Sequence, residues 1–151
     1  MRRKKNFFSR LEPRAARLLR NARVAHLATA DRRGRPHVVP ICFAIDGDNL
    51  ITPLDAKPKK SAPLNLKRVR NIAANPRVAV VVDCYEEDWR RLGYVLLQGK
   101  AKLLRRGAHH RRAVRCLKAK YLVYRAMDIS RSPVISITIE HTYVWFAKAA
   151  K

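Results

Sequence analysis

Acidic residues are scarce in this chain. Only 11 Asp and Glu stand against 34 Lys and Arg, giving a formal net charge of +23 over 151 residues. Such an imbalance creates a long-range field for anions and bears on partners rather than on fold. Cysteine is scarcer still. The three present, Cys42, Cys84 and Cys116, are odd in number, far apart and form no C-x-x-C pair, which argues against a disulfide framework or a metal site. Cys42 and Cys84 lie in apolar strand-like runs, where a cysteine serves as a small buried hydrophobe. No apolar run approaches the ~18 residues of a membrane-spanning helix, so no membrane span is expected. The opening Met1-Arg-Arg-Lys-Lys-Asn-Phe-Phe leads into no long apolar segment and no small-residue cleavage site. It does not read as a secretion signal, and the simplest compartment is the cytoplasm. A Walker loop, a G-x-G-x-x-G turn and a Ser-His-Asp arrangement are all missing. His109-His110 has no ligand-type spacing to an acid or cysteine, so no metal is expected there.

The basic residues are concentrated in three blocks, Met1–Arg23, Lys57–Arg77 and Lys100–Arg125, in which Glu12 is the one acid. Asp83, Glu86, Glu87 and Asp88 form a compact acidic island between the last two. Three explanations compete: nucleic-acid binding, recruitment of a polyanionic cofactor, and an arginine-rich composition on solvated faces. Binders of single-stranded nucleic acid interleave aromatics with basic residues on strands. Here the strands are apolar and the cations fall on helices and loops, which disfavours a specific nucleic-acid partner.

Hydrophobic periodicity divides the chain into a basic N-terminal segment and helix, residues 1–23, and one β-rich domain, residues 24–147. From Ser9 to Arg23, Leu11, Ala15, Leu18, Leu19 and Ala22 share one helical face. Val24–Ala30 reads as a strand, turned by Asp31-Arg-Arg-Gly-Arg into a second strand, Pro36–Ile45. Asp46-Gly47 turns that into a third, Asn49–Pro53. Ser61 is a suitable N-cap for a helix over Ala62–Ala74, which Asn75-Pro76 ends. Strands follow at Arg77–Cys84 and Leu92–Leu104, with Gly99 marking a bulge or close approach. A helix is expected over Ala108–Ala126, and a final alternating strand over Val134–Phe146. Six strands adjacent in sequence, with two or three flanking helices, imply a mainly antiparallel β-barrel of the α+β class.

Between strands three and four lies a cationic loop, Lys57, Lys59 and Lys60, followed at once by a helix start. Ammonium groups beside free helix-start amides favour a phosphate; a solvated charged loop is the alternative. Pro40 has no N–H for a ladder and marks an edge or opening of the sheet, where a planar ring can approach.

Four phrases in order, Val24-Ala-His-Leu-Ala-Thr-Ala, Gly34-Arg-Pro-His-Val-Val-Pro, Asp55-Ala-Lys-Pro-Lys and Arg70-Asn-Ile-Ala-Ala-Asn-Pro-Arg-Val, resemble the pyridoxamine 5′-phosphate oxidase-like flavoproteins. The likeness covers roughly residues 20 to 147 and is nearest to the branch of F420-dependent oxidoreductases. It implies a split β-barrel of six antiparallel strands that binds a deazaflavin or flavin at a two-fold subunit interface. By resemblance, Lys57 and Lys60 match phosphate-contacting positions, with Lys59 a neighbour. The backbone of Val39, Pro40 and Ile41 would line the ring. Thr52 would bond a ring or phosphate oxygen, and Gln98, Trp89 and Trp145 would reach the cofactor across the interface. His37 is the titrating side chain nearest that site, able to orient a substrate or donate a proton near neutral pH.

His37-Val-Val-Pro40-Ile-Cys-Phe43 stands where pyridoxamine phosphate oxidases carry an Arg/Lys-rich motif. That departure argues against pyridoxamine phosphate as substrate and weakens the case for FMN. The expected function is therefore an F420-dependent oxidoreductase passing hydride to a small molecule, with FMN as the alternative cofactor. A homodimer is expected. A basic nucleic-acid-binding protein and a cofactor carrier without turnover are the alternatives from other classes.

Overall fold

In the computed structural model the described residues are 6–54 and 62–148. Their alternating and β-branched runs form seven strands: β1 Ala25–Ala30, β2 Pro36–Ile41, β3 Ala44–Asp46, β4 Asn49–Pro53, β5 Arg77–Cys84, β6 Gly93–Leu104 and β7 Val134–Phe146. All pair antiparallel in one sheet of order β2-β1-β5-β6-β7-β4-β3. Five α-helices accompany them among the described residues: α1 Phe7–Arg10, α2 Pro13–Asn21, α3 Lys67–Ala74, α4 Ala108–Lys120 and α5 Val123–Ala126.

The expected six-stranded barrel needs correcting on two counts. The strand expected over Pro36–Ile45 is broken: β2 ends at Ile41, Cys42 and Phe43 turn the chain, and β3 begins at Ala44. At the corner the Phe43 N–H donates to the Tyr121 hydroxyl at 3.0 Å, a side-chain partner in place of a strand. The Phe43 ring is fully buried and anchors the turn. Strands β2 and β3 thus sit at opposite edges of the sheet yet only two residues apart in the chain. The sheet must curl until its edges meet at that corner, but no ladder joins β2 to β3. The hydrogen-bonded sheet is open, not a closed barrel.

Helices depart from expectation for equally local reasons. Glu12 precedes Pro13 and is held extended (φ −62°, ψ 151°), as a pre-proline residue prefers, so the first expected helix splits into α1 and α2. Residues Pro63–Asn65 form a 3-10 turn and α3 starts only at Lys67; the expected cap, Ser61, lies outside the described residues. After Lys120 the chain leaves helical geometry at Tyr121 (φ −116°, ψ 115°), the residue that holds the corner.

One core fills the concave side of the sheet. Leu27, Val80, Val82, Val95, Leu97 and Ile137 meet Phe7, Ala15 and Leu19 from α1 and α2, and Ile72 from α3. A second core lies outside, where Ala113 and Leu117 of α4 cover Ala44, Ile51 and Val134. That is why the first half of β7 is buried on both faces, including Ser136.

Gly99 marks a real irregularity. Gln98 pairs with His141 and Gly99 with Ile139, leaving Glu140 as the extra residue of a bulge. Beyond it the faces of β7 exchange, so Val144 and Phe146 turn to the core. A Cβ on Gly99 would lie 2.0 Å from the Thr138 carbonyl oxygen. Gly99→Ala should therefore cost about 1–3 kcal/mol in urea unfolding, by forced backbone displacement. Gly34→Ala, where the strain is only a φ of 75° with no atom within 4 Å, should cost about 1 kcal/mol. Equal costs would mean that the close approach at Gly99 is relieved cheaply.

Candidate functional site

The buried apolar residues of the helices belong to the two cores, which leaves the convex face of β2, β1, β5, β6 and the end of β7 open. Cross-strand register lays this face out in rows. One row runs Val38, Ala28, Ala79, Gln98, His141 and the next runs Pro40, His26, Val81, Leu96, Tyr143. Val38 is 59% exposed, Tyr143 54% and Trp145 42%. The Tyr94 ring lies 5.9 Å from Tyr143 and 6.0 Å from Trp145, building an aromatic ridge at one side. In the first row the small Ala28 and Ala79 separate Val38 from the Gln98 amide by three strand spacings, about 14 Å. The result is a mainly apolar strip whose far end carries the Gln98 amide and His141.

The residues singled out from the sequence divide between faces. Pro40 is exposed on the convex side, and β2 is an edge strand as its proline implied. Val39 and Ile41 turn their side chains onto the core, and their backbone groups, of opposite parity to Pro40, face β1 rather than the free edge. Gln98 lies on the convex strip. Thr52 is buried on the concave side, paired with Ile135 and so level with Leu103. Five residues of β6 separate that level from Gln98, about 16 Å, so one subunit does not bring Thr52 and Gln98 together. Trp145 belongs to the ridge, whereas Trp89 is exposed in a short 3-10 turn after the acidic island. Lys57, Lys59 and Lys60 lie outside the described residues.

His37 turns inward, opposite Thr29 of β1. Beside it is a buried polar pair that the sequence did not disclose: the Asn71 Nδ2 of α3 donates to Thr29 Oγ1 at 2.9 Å. The His37 Nδ1 atom is buried and has no hydrogen-bond partner among the described residues. Such an atom calls for an explanation, because most buried polar atoms are satisfied. A second tie fixes the β1–β2 hairpin to α3. Asp31 receives Arg35 Nε at 2.7 Å and Lys67 Nζ at 3.8 Å, and the Arg35 hydrogen bond is the main cause of its lowered pKa. Asn71 and Thr29 were missed because neither type signals burial alone, and 42 residues separate them.

Thr29→Val keeps the shape of that pair but removes the acceptor, stranding a buried amide. It should cost about 1–3 kcal/mol in chemical unfolding. A loss under about 0.5 kcal/mol would mean that Asn71 finds another partner.

The family model for pyridoxamine 5′-phosphate oxidase matches residues 11–146. A 5a,11a-dehydrotetracycline/5a,11a-dehydrooxytetracycline reductase of Streptomyces rimosus is 33% identical over 97 residues. That match spans 62% of this chain and 64% of the reductase, under two thirds of the relative's length. Among solved structures, the heme storage protein HutZ of Vibrio cholerae superposes with a TM-score of 0.70 at 15% identity, covering 91% of this chain and 96% of HutZ. A conserved hypothetical protein of Mycobacterium tuberculosis gives 0.70 at 16% identity, covering 97% and 89%. At such identities the two structures share the fold alone. The family match, by contrast, takes in every strand of the curled sheet: the chain belongs to the pyridoxamine 5′-phosphate oxidase family.

Proposed function

We propose that this protein is an oxidoreductase that binds the deazaflavin F420 and acts on a small molecule. Family membership over residues 11–146 carries this reading, and the reductase relative supports the reaction class. When bound, F420 supplies hydride transfer, and the protein supplies position and electrostatics. The residues present fit such a group. At the free edge of β2 the backbone groups of Val38 and Pro40 point away from β1, the strip beside it is mainly apolar, and Gln98 supplies an amide toward its far end. His37, on the inward face of β2, does not line this strip.

F420 is preferred to FMN because its phosphate and polyglutamate tail suit a strongly basic surface. Lys57, Lys59 and Lys60 fall between Leu54 and the helical turn before α3, and Arg70 of α3 is exposed. FMN on the same fold is the alternative cofactor.

The open convex face is proposed as the homodimer interface. It exposes Val38, Tyr143 and Trp145 beside half-buried Val81, Tyr94 and Leu96. Pairing two such faces would bury the apolar strip and bring one subunit's Gln98 toward the other's β2 edge.

Titration of the purified protein with F420, FMN and hemin, followed by absorbance at two salt concentrations, tests the cofactor. The expected result is stoichiometric F420 binding that a Lys57→Ala/Lys60→Ala variant loses. FMN selectivity would move the chemistry to flavin, and hemin selectivity would replace turnover by carriage. Weak attraction erased by salt for all three would overturn the oxidoreductase reading. Sedimentation should show a dimer at micromolar concentration, and Val38→Asp/Tyr143→Asp should give a folded monomer with at least tenfold weaker F420 binding. A wild-type monomer would remove the two-subunit site.

A further inference from the structure

A cleft of about 730 Å³ opens between α2, β3 and α4, with Phe8 of α1 and the β3–β4 turn at its rim. It shares no residue with the convex strip. Its apolar wall is Phe8, Ile45 and Ala119, and its polar side is Arg20, Arg23 and Lys120. Helices α2 and α4 both end here, so the three cations gather at two carbonyl-rich helix ends. Lys120 Nζ donates to the Leu19 carbonyl at 3.2 Å and lies 3.7 Å from the Phe43 ring centroid. Arg23 in return donates to the Lys120 carbonyl, and the Arg20 guanidinium lies 5.7 Å from the Phe8 ring.

Helix capping accounts for one N–H of Lys120 and part of Arg23. It does not account for the missing counter-charge. Among the described residues none of the three cations is in an ion pair. The nearby carboxylates are committed: Asp46 to Arg112 at 2.6 Å, and Asp48 Oδ1 to the Phe7 N–H at 2.6 Å. Three uncompensated cations on one side of an apolar cleft are complementary to a molecule of matching polarity. A volume of this size is that of a small-ligand pocket.

We propose that this cleft is a second binding site, which takes an amphipathic anion with its apolar body on Phe8, Ile45 and Ala119 and its carboxylate or sulfonate at Arg20, Arg23 and Lys120. The site is independent of the cofactor reading.

The surroundings of Lys120 make the binding pH-dependent. Facing it are Arg23 from the end of α2, Cys42 from the β2–β3 corner and its own neighbour Tyr121, with Arg20, Cys116, Asp46 and Arg112 farther around the cleft. Burial, reinforced by Arg23 and opposed by Cys42, pushes Lys120 down to about 8. Burial pushes the Tyr121 phenol up to about 12 and raises the Cys116 thiol, so both stay neutral while Lys120 titrates. An anion prefers the protonated lysine. Affinity should therefore be full below about pH 7 and fall as pH rises through 8, approaching tenfold by pH 9.

The probe is 8-anilinonaphthalene-1-sulfonate, whose fluorescence rises in apolar surroundings, titrated into the full chain. One saturable site is expected, weakened at least tenfold by Lys120→Met and several-fold by Arg20→Gln. Arg32→Gln/Arg33→Gln removes twice the charge of either single variant, at the exposed hairpin tip, and should leave affinity within twofold. 1-Naphthoate should displace the probe, and neutral 1-naphthalenemethanol at equal concentration should not. The fall between pH 7 and 9 should vanish in Lys120→Met, and unchanged circular dichroism and urea unfolding would show that variant to be folded. Unsaturable binding, equal loss in the hairpin variant, displacement by the neutral alcohol, or affinity indifferent to Lys120→Met would each overturn the proposal.

Discussion

The fold turns on the hydroxyl of Tyr121. It accepts the Phe43 N–H at 3.0 Å and gives its single proton to the Arg23 carbonyl at 2.8 Å or the Phe43 carbonyl at 3.0 Å. One buried oxygen thus joins the corner between β2 and β3, the end of α2 and the end of α4. That contact holds the bend at Cys42-Phe43, the two-residue link through which the sheet's edges meet. The corner leaves β2 as a free edge along the convex strip. The same corner places Phe43 beneath the ammonium of Lys120, so both proposed sites take their position from it.

Charge is distributed by a second constraint, the shortage of acid. Many of the carboxylates are already engaged: Asp31 with Arg35, Asp46 with Arg112, Glu86 with Arg91, Asp88 with Arg90, Asp128 with Lys118. Most of these pairs are exposed, and exposed pairs contribute little to stability. Their consequence is electrostatic. Pairing consumes the few negative charges locally, and the surplus cations are left wherever no acid is near. The cleft beside Lys120 is such a place, and it differs from the surface at large because burial makes an unpaired cation costly there.

Much of the strand pattern was legible because each strand carries its own signal. Arg77–Cys84 and Val134–Phe146 run between the residues expected from β-branching and alternation. Gly99 announced its bulge by being a glycine in an otherwise strong strand. The corner at Cys42-Phe43 announced nothing. It contains neither glycine nor proline, and its cause lies 78 residues away in Tyr121. The polar pair Thr29 and Asn71, and the bond from Lys120 to Leu19 across 101 residues, were hidden for the same reason. Local chemistry writes itself into the sequence, whereas a site assembled from distant helix ends does not.

The prolines of β2 have a consequence for assembly. Antiparallel pairing alternates residues that bond the neighbour with residues whose N–H and C=O point away. A proline cannot donate to a ladder, so Pro36 and Pro40, which share one parity with Val38, belong to the outward-pointing set. Along the free edge of β2 the donors then reduce to the Val38 N–H alone. An edge so depleted is a poor template for a second strand, which guards against open-ended edge-to-edge growth. Association through β2 must therefore use the side-chain face rather than the backbone edge. That is the geometry in which two convex strips meet and each β2 edge keeps its backbone for a ligand.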